Sequence, residues 1–227
     1  MNENSDNKRI MNRTLKAILL SAGLCFLPSF CFSATVYDNT LTDLGQQYFP
    51  TPSTLEFGDS ITLGGTDRTL SQFSFYYFLG GAAASTQSMT LRMYANSGTN
   101  APVAAFYTSD SLLLSLGGQT ANITFPSSNL ITLPNTFTWT VQFSNLAAGQ
   151  NAGLLLYGPP TTGSSFNDFW QKSSTGAWSL NQINNGSTLA DFAARVTAVP
   201  EPGVLALGGL GALLLGGLRR LCRKTRR

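Results

Sequence analysis

The sequence predicts an all-β fold, an antiparallel β-sandwich of jelly-roll-like kind, flanked by an N-terminal signal peptide and a C-terminal transmembrane helix. Three observations lead there. Apolar residues alternate with Thr, Ser and Gln in Thr69–Tyr76, Met89–Tyr94 and Thr136–Phe143, which is the pattern of strands half buried on one face. Gly, Pro and Asn clusters punctuate the chain between such runs, at Gly64-Gly65-Thr66-Asp67, Asn96-Ser97-Gly98, Gly117-Gly118, Pro134-Asn135, Gly158-Pro159-Pro160 and Asn184-Asn185-Gly186. No 3.6-residue period is sustained outside the two ends. Many short strands joined by such turns make a sandwich.

Residues 1–34 read as an export signal. Lys8, Arg9, Arg13 and Lys16 form a basic start, Ala17–Phe32 an apolar stretch, and Cys31-Phe32-Ser33-Ala34 a small-residue cleavage site. Met11 also makes a sufficient start, since Arg13 and Lys16 follow it. Leu24 before Cys25 and Phe30 before Cys31 are too large for a lipoprotein signal. General secretion machinery and signal peptidase are the expected partners here.

Residues 35–198 are the predicted ectodomain. Further strands are expected at Thr35–Tyr37, Leu55–Phe57, Ser60–Leu63, Val103–Tyr107, Ser111–Leu114, Ala121–Phe125, Leu154–Tyr157 and Phe192–Thr197. Trp139 lies in a clean alternating run and is expected in the core. The chain's formal charge of +3 comes from its ends. Between 35 and 199 four bases (Arg68, Arg92, Lys172, Arg195) face eight acids (Asp38, Asp43, Glu56, Asp59, Asp67, Asp110, Asp168, Asp191), a net −4. That balance gives no basic groove for nucleic acid. All three cysteines (Cys25, Cys31, Cys222) lie in the flanks, so no disulfide can staple the sandwich. Histidine is absent from the sequence, which removes Ser-His-Asp and Cys-His catalysis and His-ligated metals. No cofactor is expected.

Residues 199–227 have three parts in order. Val199-Pro200-Glu201-Pro202 is extended and helix-breaking. An apolar helix follows, about 203–221, built largely of Leu, Gly and Ala. At about 1.5 Å per residue its apolar run falls a little short of a bilayer core of roughly 30 Å, which snorkelling arginines make up. Arg219, Arg220, Arg223, Lys224, Arg226 and Arg227 form a basic tail that favours a cytoplasmic end.

Those residues resemble a PEP-CTERM sorting signal. The resemblance implies that a membrane-embedded cysteine protease, an exosortase, cuts near Pro200-Glu201-Pro202 and passes the protein on. The precursor would be anchored in the inner membrane of a Gram-negative bacterium, and the product would reach the cell surface, outer membrane or extracellular matrix. A second resemblance covers most of 35–198. Glu56-Phe57-Gly58-Asp59-Ser60-Ile61-Thr62-Leu63, Arg68-Thr69-Leu70, Leu91-Arg92-Met93-Tyr94-Ala95-Asn96, Asn167-Asp168-Phe169-Trp170 and Phe192-Ala193-Ala194-Arg195-Val196 are similar to extracellular β-sandwich domains of the choice-of-anchor type. That family implies the sandwich and no particular chemistry.

Three functional classes follow. The leading one is a non-enzymatic surface or matrix protein associated with exopolysaccharide and biofilm. A carbohydrate-binding module is the alternative, with Trp170 and Trp178 as candidate sugar-stacking rings beside Phe166 and Phe169; the competing reading makes both tryptophans core lids. A glycoside hydrolase comes last. It would need two carboxylates, for which Glu56, Asp59 and Asp67 are close in sequence, but acids beside turns also serve as turn formers. Calcium would suit oxygen-only ligands, yet no D-x-D-x-D-G loop occurs. The sequons at Asn122 and Asn185 are read as chance.

Overall fold

The computed structural model describes residues 33–82, 86–97, 101–126 and 128–200; the export signal and the segment from Glu201 onward lie outside them. The strands are β1 (Ala34–Asp38), β2 (Asp43–Tyr48), β3 (Glu56–Thr62), β4 (Thr69–Gly80), β5 (Ser88–Asn96), β6 (Pro102–Thr108) and β7 (Leu112–Leu113). They continue with β8 (Gly117–Thr124), β9 (Thr136–Ser144), β10 (Asn151–Tyr157), β11 (Ser164–Ser165), β12 (Phe169–Lys172), β13 (Trp178–Asn181) and β14 (Ala194–Val199). Every pairing among them is antiparallel.

Two sheets result. The first runs β1-β14-β4-β10-β2, with β8 on β4. The second runs β13-β12-β3-β9-β5-β6, with β11 extending the pairing of β3 and β7 that of β5. Alternation fixes which side chains meet between them. Phe73, Phe75, Tyr77 and Leu79 of β4 are buried, as are Met89, Leu91 and Met93 of β5 and Phe137, Trp139, Val141 and Phe143 of β9. Trp139 meets Phe73 and Phe75 of the opposite sheet, with ring centroids 5.4 and 5.5 Å apart. Phe192 stands at the centre of a second aromatic group, 5.6 Å from Phe57, 5.8 Å from Phe169 and 6.3 Å from Trp139. The expected sandwich and the buried Trp139 are both present.

Several elements depart from the alternation. The strands expected at Leu55–Phe57 and Ser60–Leu63 are replaced by one, β3 (Glu56–Thr62), because Gly58 is a packing residue and makes no turn. A Cβ at Gly58 would overlap the Trp139 carbonyl oxygen on β9 and come 2.6 Å from the Thr140 Cα. The Gly117-Gly118 pair opens strand β8 opposite Phe78 and Leu79. Strand β2 escapes the pattern because it is an edge strand exposed along most of its length, with only Leu44 and Tyr48 packed on the core. In β12 the core-facing Phe169 is followed by Trp170 on the other face, so aromatic residues on both sides erase the period of two.

Among the described residues there is no α-helix, only a 3-10 turn at Asn184–Gly186, and no helix long and apolar enough to cross a membrane. The expected transmembrane segment at about 203–221 lies outside the described residues.

Gly58→Ala is expected to cost about 2–3 kcal/mol, because its methyl group meets backbone that cannot rotate away. Urea unfolding checks this; a change below about 0.5 kcal/mol would show that β3 and β9 are free to separate.

Candidate functional site

The outer face of the second sheet carries a charged cluster centred on Glu56. Strand register brings it together: Glu56 lies opposite Lys172 of β12 on one side and Gln142 of β9 on the other, while Arg92 of β5 lies opposite Thr140. Both Glu56 oxygens are occupied. Oε1 accepts hydrogen bonds from the Tyr94 hydroxyl at 2.6 Å and the Thr140 hydroxyl at 2.7 Å. Oε2 pairs with Arg92 Nη1 at 3.2 Å and Lys172 Nζ at 3.5 Å. Arg92 also donates to Gln142 Oε1 at 3.1 Å, and Gln142 Nε2 donates to the Thr54 carbonyl at 3.1 Å. That last contact ties the loop before β3 to the sheet.

Aromatic rings flank the cluster. Tyr94 and Trp178 meet edge to face with centroids 5.2 Å apart. Lys172 Nζ stands 5.2 Å from the Trp178 ring centre and 5.6 Å from that of Tyr94, within cation–π range. Burial first, and then the hydrogen bond to Glu56 and its charge, hold the Tyr94 phenol well above its usual range, so it remains a donor. Beside this cluster an open cleft of about 490 Å³ has Glu56, Arg92, Gln142 and Lys172 on its floor. Pro52, Thr54 and Leu55 form one wall, and Ser173, Ser174 and Gly176 form the other. The second wall is the tight turn between β12 and β13, closed by Ser173 and Gly176 backbone bonds.

A second polar group is enclosed by the fold. Asp59 follows the inward alternation of Phe57 and Ile61 and is fully buried. Neither of its oxygens has a hydrogen-bond partner; the Ser60 and Phe192 amides lie near enough to favour the charged form without reaching good geometry. Burial above all, then the charges of Asp191 and Asp168, push the Asp59 carboxyl well above the carboxylate range. Nearby, the Tyr37 hydroxyl donates to Ser165 Oγ at 3.3 Å, and that hydroxyl donates to Asp191 Oδ1 at 2.8 Å. Burial, with Asp168 adding to it and Ser165 opposing, raises Asp191 to about 6. Among the described residues no group of three or more Asp, Glu, Cys or His is arranged to hold a metal ion.

The residues singled out in the sequence fall in different places. Glu56 and Asp59, three apart on one strand, point to opposite faces of the sheet, so they cannot flank one glycosidic bond; Asp67 lies in the loop after β3. Trp170 is 9 % exposed and offers little ring face, whereas Trp178 is half-buried beside Lys172. Phe166 is exposed and Phe169 is in the core, so the four aromatic residues do not form one surface. Pro200 follows directly on β14; Glu201, Pro202 and the basic residues Arg219, Arg220, Arg223, Lys224, Arg226 and Arg227 lie outside the described residues. Arg92, Lys172, Tyr94 and Gln142 are not among the site residues expected from the sequence. Arg92, Tyr94 and Gln142 stand at outward positions of alternating runs, whereas Lys172 is in β12, where the alternation is lost; only the strand register joins them.

Compared with known proteins, the chain matches no family model and no curated protein.

The core carboxyls make stability depend on pH. An unfolded Asp ionises near 3.8 while folded Asp191 keeps its proton to about 6, so the folded state binds more protons in this window. Their contribution is therefore most favourable below about pH 4 and is lost as pH rises through the folded values. Relative to the wild type, Asp191→Asn should gain on the order of 3 kcal/mol between pH 4 and pH 7, and Asp59→Asn should shift in the same direction. Urea unfolding across that range measures it. A wild-type-to-variant difference that stays constant with pH would contradict the buried-acid account.

Proposed function

We propose that this chain is an exported, non-enzymatic surface or matrix protein of a Gram-negative bacterium. In this reading residues 1–34 direct secretion and are removed by signal peptidase. Residues 199–227 form a PEP-CTERM signal that anchors the precursor in the inner membrane until an exosortase acts at Pro200-Glu201-Pro202. The sandwich, read at finer level as a jelly-roll-like domain whose chain crosses repeatedly between its two sheets, is then retained with exopolysaccharide in a biofilm or on the cell surface.

The single observation that carries this reading is the order of the C-terminal parts: Pro200-Glu201-Pro202, an apolar run and six basic residues. The position of the domain supports it. Strand β1 begins at Ala34 and β14 ends at Val199, so the described strands fit between the two proposed processing points. Those two strands also pair, Ala34 opposite Ala198, which sets both junctions at one end of the same strand pair. A carbohydrate-binding module is the second reading, favoured by the half-buried Trp178 and the polar cleft beside it.

Glu201→Ala tests the sorting assignment. In the sequence the position comes after β14, the strand that completes the sandwich, so the sandwich should fold with unchanged thermal stability. Processing should stop, leaving a precursor that retains its basic tail in the inner membrane. Normal trimming and surface delivery of this variant would sink the assignment.

A further inference from the structure

We propose that the cleft over Glu56, Arg92 and Lys172 binds a carboxylate-bearing sugar, a uronic acid residue of an acidic polysaccharide. This rests on the reading of the domain as polysaccharide-associated and names the chemistry of its ligand.

Two of the four cations between residues 35 and 199 are committed elsewhere. Arg68 donates to the backbone carbonyls of Gly64, Gly65 and Asp67 and to Asn135 Oδ1. Arg195 is held by Asp38 and Thr40. The remaining two, Arg92 and Lys172, come from strands eighty residues apart in sequence and converge on one carboxylate. The floor of the cleft therefore carries a local charge of +1 inside a domain whose net charge is −4. Two hydroxyls satisfy Oε1 of Glu56 and one cation would balance its charge at Oε2, so the second cation is in excess of what folding needs.

Donors remain for a ligand. Arg92 makes its contacts through Nη1, and its Nε and Nη2 have no partner among the described residues. The Arg92 and Lys172 side chains keep 25 % and 31 % of their surface open. Glu56 cannot swing away to expose an anion, since four groups hold it. An incoming carboxylate thus meets a guanidinium edge and an ammonium held in place, which is the geometry that makes charge-assisted bonds specific.

The rest of the cleft suits a sugar better than a peptide. Its volume lies within the range of small-ligand pockets, about 300–1,000 Å³. Its rim presents the hydroxyls of Thr54 and Ser174, with Pro52 and Leu55 as its apolar lining. The two hydroxyls are partners for ring hydroxyls around a single acid group.

The test uses the full chain in detergent, with polygalacturonate, neutral dextran and dextran sulfate as probes, titrated at low and at raised salt. Polygalacturonate should bind and dextran should not, with binding weakened by salt. Ser174→Glu places a carboxylate on an exposed rim residue that makes no hydrogen bond to the Glu56 cluster. It should weaken polygalacturonate binding at least tenfold with no change in melting temperature, while Ser174→Lys strengthens it. Arg92→Gln should weaken it comparably. Equal binding of dextran, tighter binding of dextran sulfate, or indifference to all three substitutions overturns the inference. If no probe binds while the cellular protein still fractionates with exopolysaccharide, the uronate site falls and the matrix reading stands; loss of that fractionation removes the reading itself.

Discussion

Contact between aromatic rings of opposite sheets is what the structure rests on. The domain has no cysteine between residues 35 and 199, so its two sheets are joined by side-chain packing and by their connecting loops. Trp139 on β9 reaches Phe73 and Phe75 across the interlayer space, and Phe192 links Phe57, Phe169 and Trp139. Each fully buried ring contributes roughly 2–3 kcal/mol of apolar transfer, and edge-to-face contacts add about 0.5–1.5 kcal/mol per pair. The placement of Asp59 among these rings is costly, and its proton is the cheapest way to lower that cost.

The same strands that build the core deliver the outer cluster. Strand β3 turns Phe57 and Ile61 inward and Glu56 outward, and β9 turns Trp139 inward and Thr140 and Gln142 outward. Core packing thereby sets the separations around Glu56 to within the pleat of the sheet. Gly58 sits at the crossing of both functions. It lets β9 approach closely, and it leaves the outer face between Glu56 and Ser60 without a side chain.

Sequence pattern revealed what period two can reveal. Residues such as Phe73, Phe75, Leu91, Trp139 and Val141 were legible as core because their neighbours are polar. The strands with aromatic or polar residues on both faces were not, as β2, β12 and β13 illustrate. Reading Glu56 and Asp59 together as neighbours by a turn failed for a geometric reason. Once Gly58 is a strand residue, a spacing of three puts the two carboxylates on opposite sides of the sheet. Arg92 and Lys172 could not be paired from sequence, because their meeting depends on two intervening strands, β9 and β3, being in register. The sorting signal is the reverse case. Its order is read entirely from residues 199–227, of which only Val199 and Pro200 are among the described residues.

The most direct measurement is the intact mass of the protein recovered from the surface of its source cells. The account predicts a single species that starts near Ala34 or Thr35 and ends near Pro200–Pro202, a trimmed sandwich carrying whatever anchor was attached after the cut. A species that retains Arg227 and stays in the inner membrane would contradict it. The sandwich would then be a periplasm-facing domain on an ordinary single-span anchor.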